Sequence, residues 1–207
     1  MASSNDSPID KIPDELLALV FVHLDDRTSL PNHKPIPHIL SSVDRRWRRV
    51  AIDLSSLWSH IILSFEKFTL SPSIYIKCQS LWIERSRTSP LDISIDLINL
   101  SGPLRGYEKL LLNLVLPNIG RWRYLNVVAD HARDLTNFSI AMYNAAPAPL
   151  LRKAVITTRH MIITELMDNM EDEIYHSHKA FFRSGSPSLG SVCLVGIHYF
   201  QNSLYMT

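Results

Sequence analysis

The stretch "LDISIDL", Leu91–Leu97, alternates without a break. Leu91, Ile93, Ile95 and Leu97 fall on one side, and Asp92, Ser94 and Asp96 on the other. A period of two belongs to an extended chain with one buried face; a helix would scatter the four apolar residues around its axis. Just upstream, "SIYIKCQSLWIERSRTSP" places Ile74, Cys78, Leu81, Trp82 and Arg85 at helical spacing and ends in Pro90. Further upstream, Leu57 and Trp58 lead into Ile61, Ile62 and Leu63, a short β-branched run that predicts a strand. Downstream, "GYEKLLLNLVLPNIGRW" is predicted helical up to Pro117 and "RYLNVVAD" extended. "RDLTNFSIAMYNAAPAP" is predicted as a helix ending in a proline-rich turn, and "LLRKAVITT" as a strand. "MIITELMDNMEDEIYHSHKAFFRSGSPS" reads as helical or irregular and "LGSVCLVGI" as a last strand.

Strands alternating with helices imply parallel pairing and an α/β class. The strand candidates near Ile95, Val127, Val155 and Leu194 recur every 28 to 39 residues or so. A recurrence of that length suggests a leucine-rich-repeat-like α/β solenoid with irregular repeats over residues 61–207. The final "HYFQNSLYMT" contains no polar capping unit, which predicts an array that is truncated or poorly capped.

The composition fits a folded protein rather than a polyelectrolyte. The chain has 207 residues, 46% of them hydrophobic and 20% charged, with 21 Lys and Arg against 20 Asp and Glu, a net charge of +1. Near-neutrality argues against general nucleic-acid or acidic-membrane binding, where affinity grows with the number of neutralised phosphates. Two isolated cysteines, Cys78 and Cys193, both set among apolar residues, form neither a disulfide framework nor a zinc motif. The polar start "MASSNDSPID" is unlike a signal peptide, and no apolar run reaches the roughly 18 residues of a membrane span. The expectation is a soluble intracellular protein of the cytoplasm or nucleus, without a membrane partner.

The first 60 residues have a different texture. Residues 1–8 are small and polar and are expected to be a disordered leader. In "IDKIPDELLALVFVHL", Pro13 suits the first helical position, and Asp14 and Glu15 suit the positive end of the helix dipole. Leu16, Leu17, Val20, Phe21 and Leu24 share one face while Leu19 and Val22 point elsewhere, so the helix needs covering from more than one direction. A loop with three prolines is expected over residues 25–37. The run "SSVDRRWRRVA", Ser41–Ala51, then poses a choice. As composition it is a basic patch around an aromatic residue, which suggests nucleic acid through Arg45 to Arg49. As one continuous helix it places Ile39, Leu40, Val43, Trp47, Val50 and Ala51 on a single apolar stripe, with Arg45, Arg48 and Arg49 opposite and Arg46 at the margin. The helical phase favours Trp47 in a core or protein interface, with the arginines mostly solvated.

Together, "IDKIPDELLALVFVHL" and "PHILSSVDRRWRRVAIDLSSLWSHI" resemble an F-box. Ile12-Pro13, Glu15-Leu16-Leu17, Val20-Phe21, Leu24 and Val43-x-x-x-Trp47 match its pattern; the 25–37 loop is longer than in a minimal box, and His38 to Ser42 replaces the usual second-helix text. "LSSLWSHI", "LWIERSRTSPLDISI" and "FFRSGSPSLGSVCLVGI" resemble the region after the box in fungal F-box proteins with degenerate leucine-rich repeats. The resemblance implies an F-box over residues 9–60 that docks a Skp-type adaptor and, through it, a cullin. It implies adaptor-binding residues Ile12, Pro13, Leu16, Leu17, Val20, Phe21, Leu24, Ile39, Leu40, Val43, Trp47 and Val50. It also implies a repeat domain presenting an unknown protein substrate, in a subunit that performs no bond chemistry. The alternative kept alongside is an interaction protein, or a decayed relative, acting without ubiquitylation.

Catalytic and metal motifs are weak. His176 and His178 follow Glu171, Asp172 and Glu173, but histidines two apart do not share a helix face, so a solvated surface is the expectation. Six glycines include no phosphate-binding loop. "FRSGSPSLG" lacks the Gly-x-Ser-x-Gly spacing of a nucleophile elbow, and Ser184 and Ser186 are expected as turn residues before a strand. "MEDEIYH" is expected as a solvated acidic face. No catalytic residue, metal or cofactor is called for.

Overall fold

The computed structural model describes residues 8–24, 36–64, 72–98, 105–159 and 184–195. The Met161–Phe182 segment with its histidines, and "HYFQNSLYMT", lie outside the described residues. The chain divides into two compact units, one of Met1–Ser59 with Glu84–Ser89 and the other of His60–Ile83 with Pro90–Thr207.

The first unit is helical. A 3-10 turn at Pro8–Lys11 leads into α1 (Asp14–Leu24), followed by α2 (Ile36–Val43), α3 (Arg45–Asp53) and a 3-10 turn at Ser55–Trp58. The single helix expected through Ser41–Ala51 is in fact two. Asp44 adopts an extended backbone, and its side chain accepts the Trp47 amide N–H at 2.8 Å, a helix N-cap that starts α3 afresh. The break undoes the common stripe: Val50 and Ala51 are buried on α3, whereas Ile39 and Val43 on α2 are exposed. The expected loop is also shorter at its end, since Ile36 and Pro37 already belong to α2, where a proline in the first turn forfeits no helical hydrogen bond.

In α1 the inward side is narrow. Leu17 and Phe21, one turn apart, are fully buried, while Leu16, Val20 and Leu24 are exposed, so the five residues expected on one face divide. Phe21 meets Trp47 with ring centroids 5.0 Å apart. Trp58, fully buried, donates from Nε1 to the Ala51 carbonyl at 2.8 Å and lies under the Arg85 guanidinium, 4.4 Å from its ring centroid. His38 approaches Trp58 edge-on at 6.2 Å, and desolvation followed by the Arg85 charge holds its imidazole below the usual histidine range.

The second unit is built on a parallel sheet. Five strands, β1 (His60–Ser64), β2 (Leu91–Leu97), β3 (Trp122–Ala129), β4 (Lys153–Thr158) and β5 (Ser191–Val195), pair in the order in which they occur in the chain. All four pairings are parallel, so the α/β class expected from the alternation holds. Between the strands lie α4 (Pro72–Arg85), α5 (Arg105–Val115) and α6 (Thr136–Tyr143). Pro117 stops α5, and the chain tightens into a 3-10 turn, Leu116–Arg121, that delivers Trp122 to β3.

Register aligns one apolar layer across the sheet. Ile61, Ile93, Leu125, Ala154 and Val192 form one row, and Leu63, Ile95, Val127, Ile156 and Leu194 the next. Tyr75 and Ile83 of α4, Leu111, Leu112 and Val115 of α5, and Phe138 and Met142 of α6 complete this core. The inward side of helix α4 is shifted from the one expected: Ile74, Cys78 and Leu81 are exposed, Trp82 of the expected set is packed in part, and Tyr75, Ile83 and, in part, Ile76 complete the packed residues. The buried Tyr75 hydroxyl explains the choice. It accepts the Ser64 amide at 2.8 Å and donates to the Ile62 carbonyl at 3.0 Å, satisfying backbone groups of the end strand β1.

Candidate protein-docking faces

In the helical unit the twelve residues singled out in the sequence separate into three groups. Leu17, Phe21, Leu40 and Val50 are buried and make the unit's core together with Ala51, Leu57 and Trp58. Ile12 and Trp47 are half-buried. Pro13, Leu16, Val20, Leu24, Ile39 and Val43 are exposed. Leu16 is 52% exposed, Val43 55% and Leu19, on the other side of Leu16 from Val20 in helical phase, 55%. Helix α1 therefore presents an outward strip of Leu16, Leu19, Val20 and His23, and α2 contributes two more exposed apolar side chains. Two adjacent turns of large aliphatic side chains in water are the kind of surface a partner covers.

The arginines do more than solvate α3. Arg46, half-buried, donates from Nε to Asp14 Oδ1 at 2.7 Å, from Nη2 to the Ile12 carbonyl and from Nη1 to the Ile9 carbonyl at 3.4 Å. Arg49 donates to the other Asp14 oxygen at 2.8 Å. The Asp14 carboxylate thus sits between two guanidiniums, which hold it below the ordinary carboxylate range; the Arg46 hydrogen bond is the larger cause and the Arg49 bond the next. Arg48 donates to the Ser41 carbonyl at 2.8 Å. Three of the four arginines of the basic patch thus make hydrogen bonds within the unit. Sequence phase missed Arg46 and Asp14 because they are 32 residues apart; the nearest signal was the marginal position of Arg46 on its helix.

The sheet unit has its own candidate face. The strand side chains that point away from the packed helices make up the second face of the sheet. Three polar rows cross it: His60, Asp92, Tyr124, Lys153 and Ser191; Ile62, Ser94, Asn126, Val155 and Cys193; and Ser64, Asp96, Val128, Thr157 and Val195. Asp92, read from the sequence as a solvent-side residue, is buried. A bulge between β2 and β3 frees Arg123 to grip it with a two-bond fork, Nε to Oδ1 at 2.9 Å and Nη2 to Oδ2 at 2.6 Å. The Asp92 hydrogen bond holds the Arg123 pKa above its usual value. Lys153 lies 5.9 Å from the Tyr124 ring centroid. Asp96 accepts the Ile98 amide at 3.0 Å. Cys193 is exposed on this face, and Cys78 is exposed on α4. Ser184 and Ser186 do lie in the turn before β5, with Ser184 Oγ donating to the Ala145 carbonyl at 2.8 Å.

No group of three or more His, Cys, Asp or Glu side chains is placed to hold a metal among the described residues, and no described helix is long and apolar enough to cross a membrane. No protein-family model, curated protein or solved structure matches the chain.

Proposed function

We propose that the chain is the substrate-recognition subunit of an SCF-type cullin–RING ubiquitin ligase. Its helical unit serves as an F-box for a Skp-type adaptor, and its sheet unit serves as a leucine-rich-repeat-like solenoid for a protein substrate. The observation that carries this proposal is the outward strip of α1. Leu16 and Val20, two matches to the F-box pattern, are exposed beside Leu19 on a helix whose inward needs are met by Leu17 and Phe21. Truncating a central aliphatic anchor of such a face removes on the order of 2 kcal/mol of binding. The strand order, in which every described strand pairs with its neighbours in the chain, supports the repeat reading of the second unit. The subunit acts by position: holding a substrate lysine close to a charged ubiquitin-conjugating enzyme raises its effective concentration, without bond chemistry in this chain.

Co-expression with a Skp-type adaptor followed by size-exclusion chromatography tests the proposal. A one-to-one complex is expected, lost when Leu16→Asp and Val20→Asp are combined and retained with Ile74→Asp, an exposed substitution in the other unit. If the wild-type chain elutes apart from the adaptor, the ligase role fails, and an interaction protein without ubiquitylation takes its place.

A further inference from the structure

We propose that Asp14 is a positioning residue for partner docking: clamped between Arg46 and Arg49, its carboxylate fixes the angle at which α1 presents Leu16, Leu19 and Val20. The inference rests on the proposed use of α1 as the docking helix and assigns what holds that helix in place. Helix α1 is attached to α3 at two points. Near its C-terminal half, Phe21 packs on Trp47. At its start, Asp14 takes one hydrogen bond from each arginine, and Arg46 also reaches the Ile12 and Ile9 carbonyls in the segment entering the helix. The two points lie seven residues apart, about 10 Å along the helix axis at 1.5 Å per residue.

Leu17 and Phe21 are buried one turn apart, and without the clamp α1 can still rock on these contacts. A rotation of about 10° about Phe21 displaces Asp14 by roughly 1.8 Å and Leu16, five residues from the pivot, by roughly 1.3 Å. That is enough to take an anchor out of its pocket in a close-packed interface. The clamp itself is partly solvated, with the Asp14 side chain 40% exposed and Arg49 65%, so its ion pairs contribute little to folding. Its effect is directional. Two guanidiniums arriving from successive turns of α3 define one position for the carboxylate, and an ordered helix binds with less loss of entropy than a swinging one.

The experiment has one arm with the adaptor and one without. With a Skp-type adaptor, Asp14→Asn weakens affinity about tenfold while the melting temperature and far-ultraviolet circular dichroism stay near wild type, and Asp14→Glu, which keeps a carboxylate in reach, recovers most of the loss. Leu16→Ala weakens binding less in the Asp14→Asn background than in the wild type, because the anchor is already misplaced. Arg49→Gln, which changes an exposed side chain and leaves every Arg46 bond in place, gives a smaller loss in the same direction. Without the adaptor, spin labels on Leu19→Cys and Arg48→Cys, with Cys78 and Cys193 replaced by serine, report a narrow distance distribution in the Asp14 protein and a broadened one in Asp14→Asn. Equal affinities for Asp14→Asn and wild type, or equal distance distributions, overturn the positioning role. If the wild-type chain does not bind the adaptor, the docking proposal fails on that arm, and the spin-label arm still decides whether the carboxylate orders α1.

Discussion

The Asp92–Arg123 fork offers the sharpest test of the sheet unit. The Asp92 side chain is 9% exposed and that of Arg123 32%, so the pair stands between two regimes. Removing one partner from a fully buried ion pair costs about 3–5 kcal/mol, because the other charge is left desolvated. An exposed pair is worth about 0.2–1 kcal/mol. With the carboxylate buried and the guanidinium reaching water, Arg123→Met is expected to cost about 2–3 kcal/mol. Asp92→Leu strands a guanidinium that can turn to solvent, and should cost about 1–2 kcal/mol. The double variant removes both demands together, so its loss should fall short of the sum by about 1.5 kcal/mol or more. Urea unfolding of all four proteins, followed by circular dichroism and fitted with a common slope, measures the coupling. A coupling below about 0.5 kcal/mol would refute this account and place the Asp92 carboxylate in water rather than in the sheet.

Acid should reach the helical unit through Asp14. Its pKa is depressed in the folded state, so its stabilising contribution is present above the unfolded value of 3.8 and fades as pH falls through the lower folded value. A carboxyl-carbon NMR titration of Asp14 reads this directly, and Asp14→Asn should flatten stability against pH below about 4. Gly185 has φ +98° with nothing within 4 Å of an added Cβ, so Gly185→Ala should cost about 1–2 kcal/mol from backbone strain alone; Gly120→Ala, equally uncrowded and at ordinary φ, should be neutral or slightly stabilising in thermal melts. Arg87 adopts φ 47° just after α4, and its exposed guanidinium reaches Asp53 Oδ1 at 3.1 Å and the Asp53 carbonyl at 3.4 Å, so Arg87→Gly should change stability by less than about 1 kcal/mol, whereas Arg87→Val should destabilise by about 1–2 kcal/mol in urea melts. Trp58→Phe keeps the burial but deletes the bond to the Ala51 carbonyl and the better face for Arg85, a loss of about 2 kcal/mol measurable by circular dichroism.

The strands were legible because their signal is local. Leu91–Leu97 alternates in the sequence, and its four apolar residues are buried as the period of two requires. The α5 stop at Pro117 was visible for the same reason. The misreadings have two physical sources. On short helices, spacing finds an apolar arc but not its inward centre. Tertiary partners fix that centre: Trp47 draws Phe21 inward on α1, and the Tyr75 hydroxyl draws α4 round towards β1. The break at Asp44 was written in the chain as an N-cap residue, but the apolar stripe running through it was the louder pattern. Long-range polar pairs left no trace: nothing in "DELLALV" marks Asp14 as the acceptor for two arginines on α3, and nothing in "LDISIDL" marks Asp92 as buried.

The order of the sheet has a consequence for how this part of the chain can change. Among the described residues, each inner strand pairs with the strand before it and the strand after it in the chain, and β1 and β5 pair with one neighbour each. No ladder among the described residues joins segments that are distant in sequence across an intervening strand. A strand with its crossover is therefore close to an exchangeable unit, answerable to two neighbours and to nothing further away. Loss or duplication of an end unit would leave the remaining ladders in register and would change each row across the sheet by one residue. A doubly wound sheet, whose first strands sit at its centre, has no such freedom.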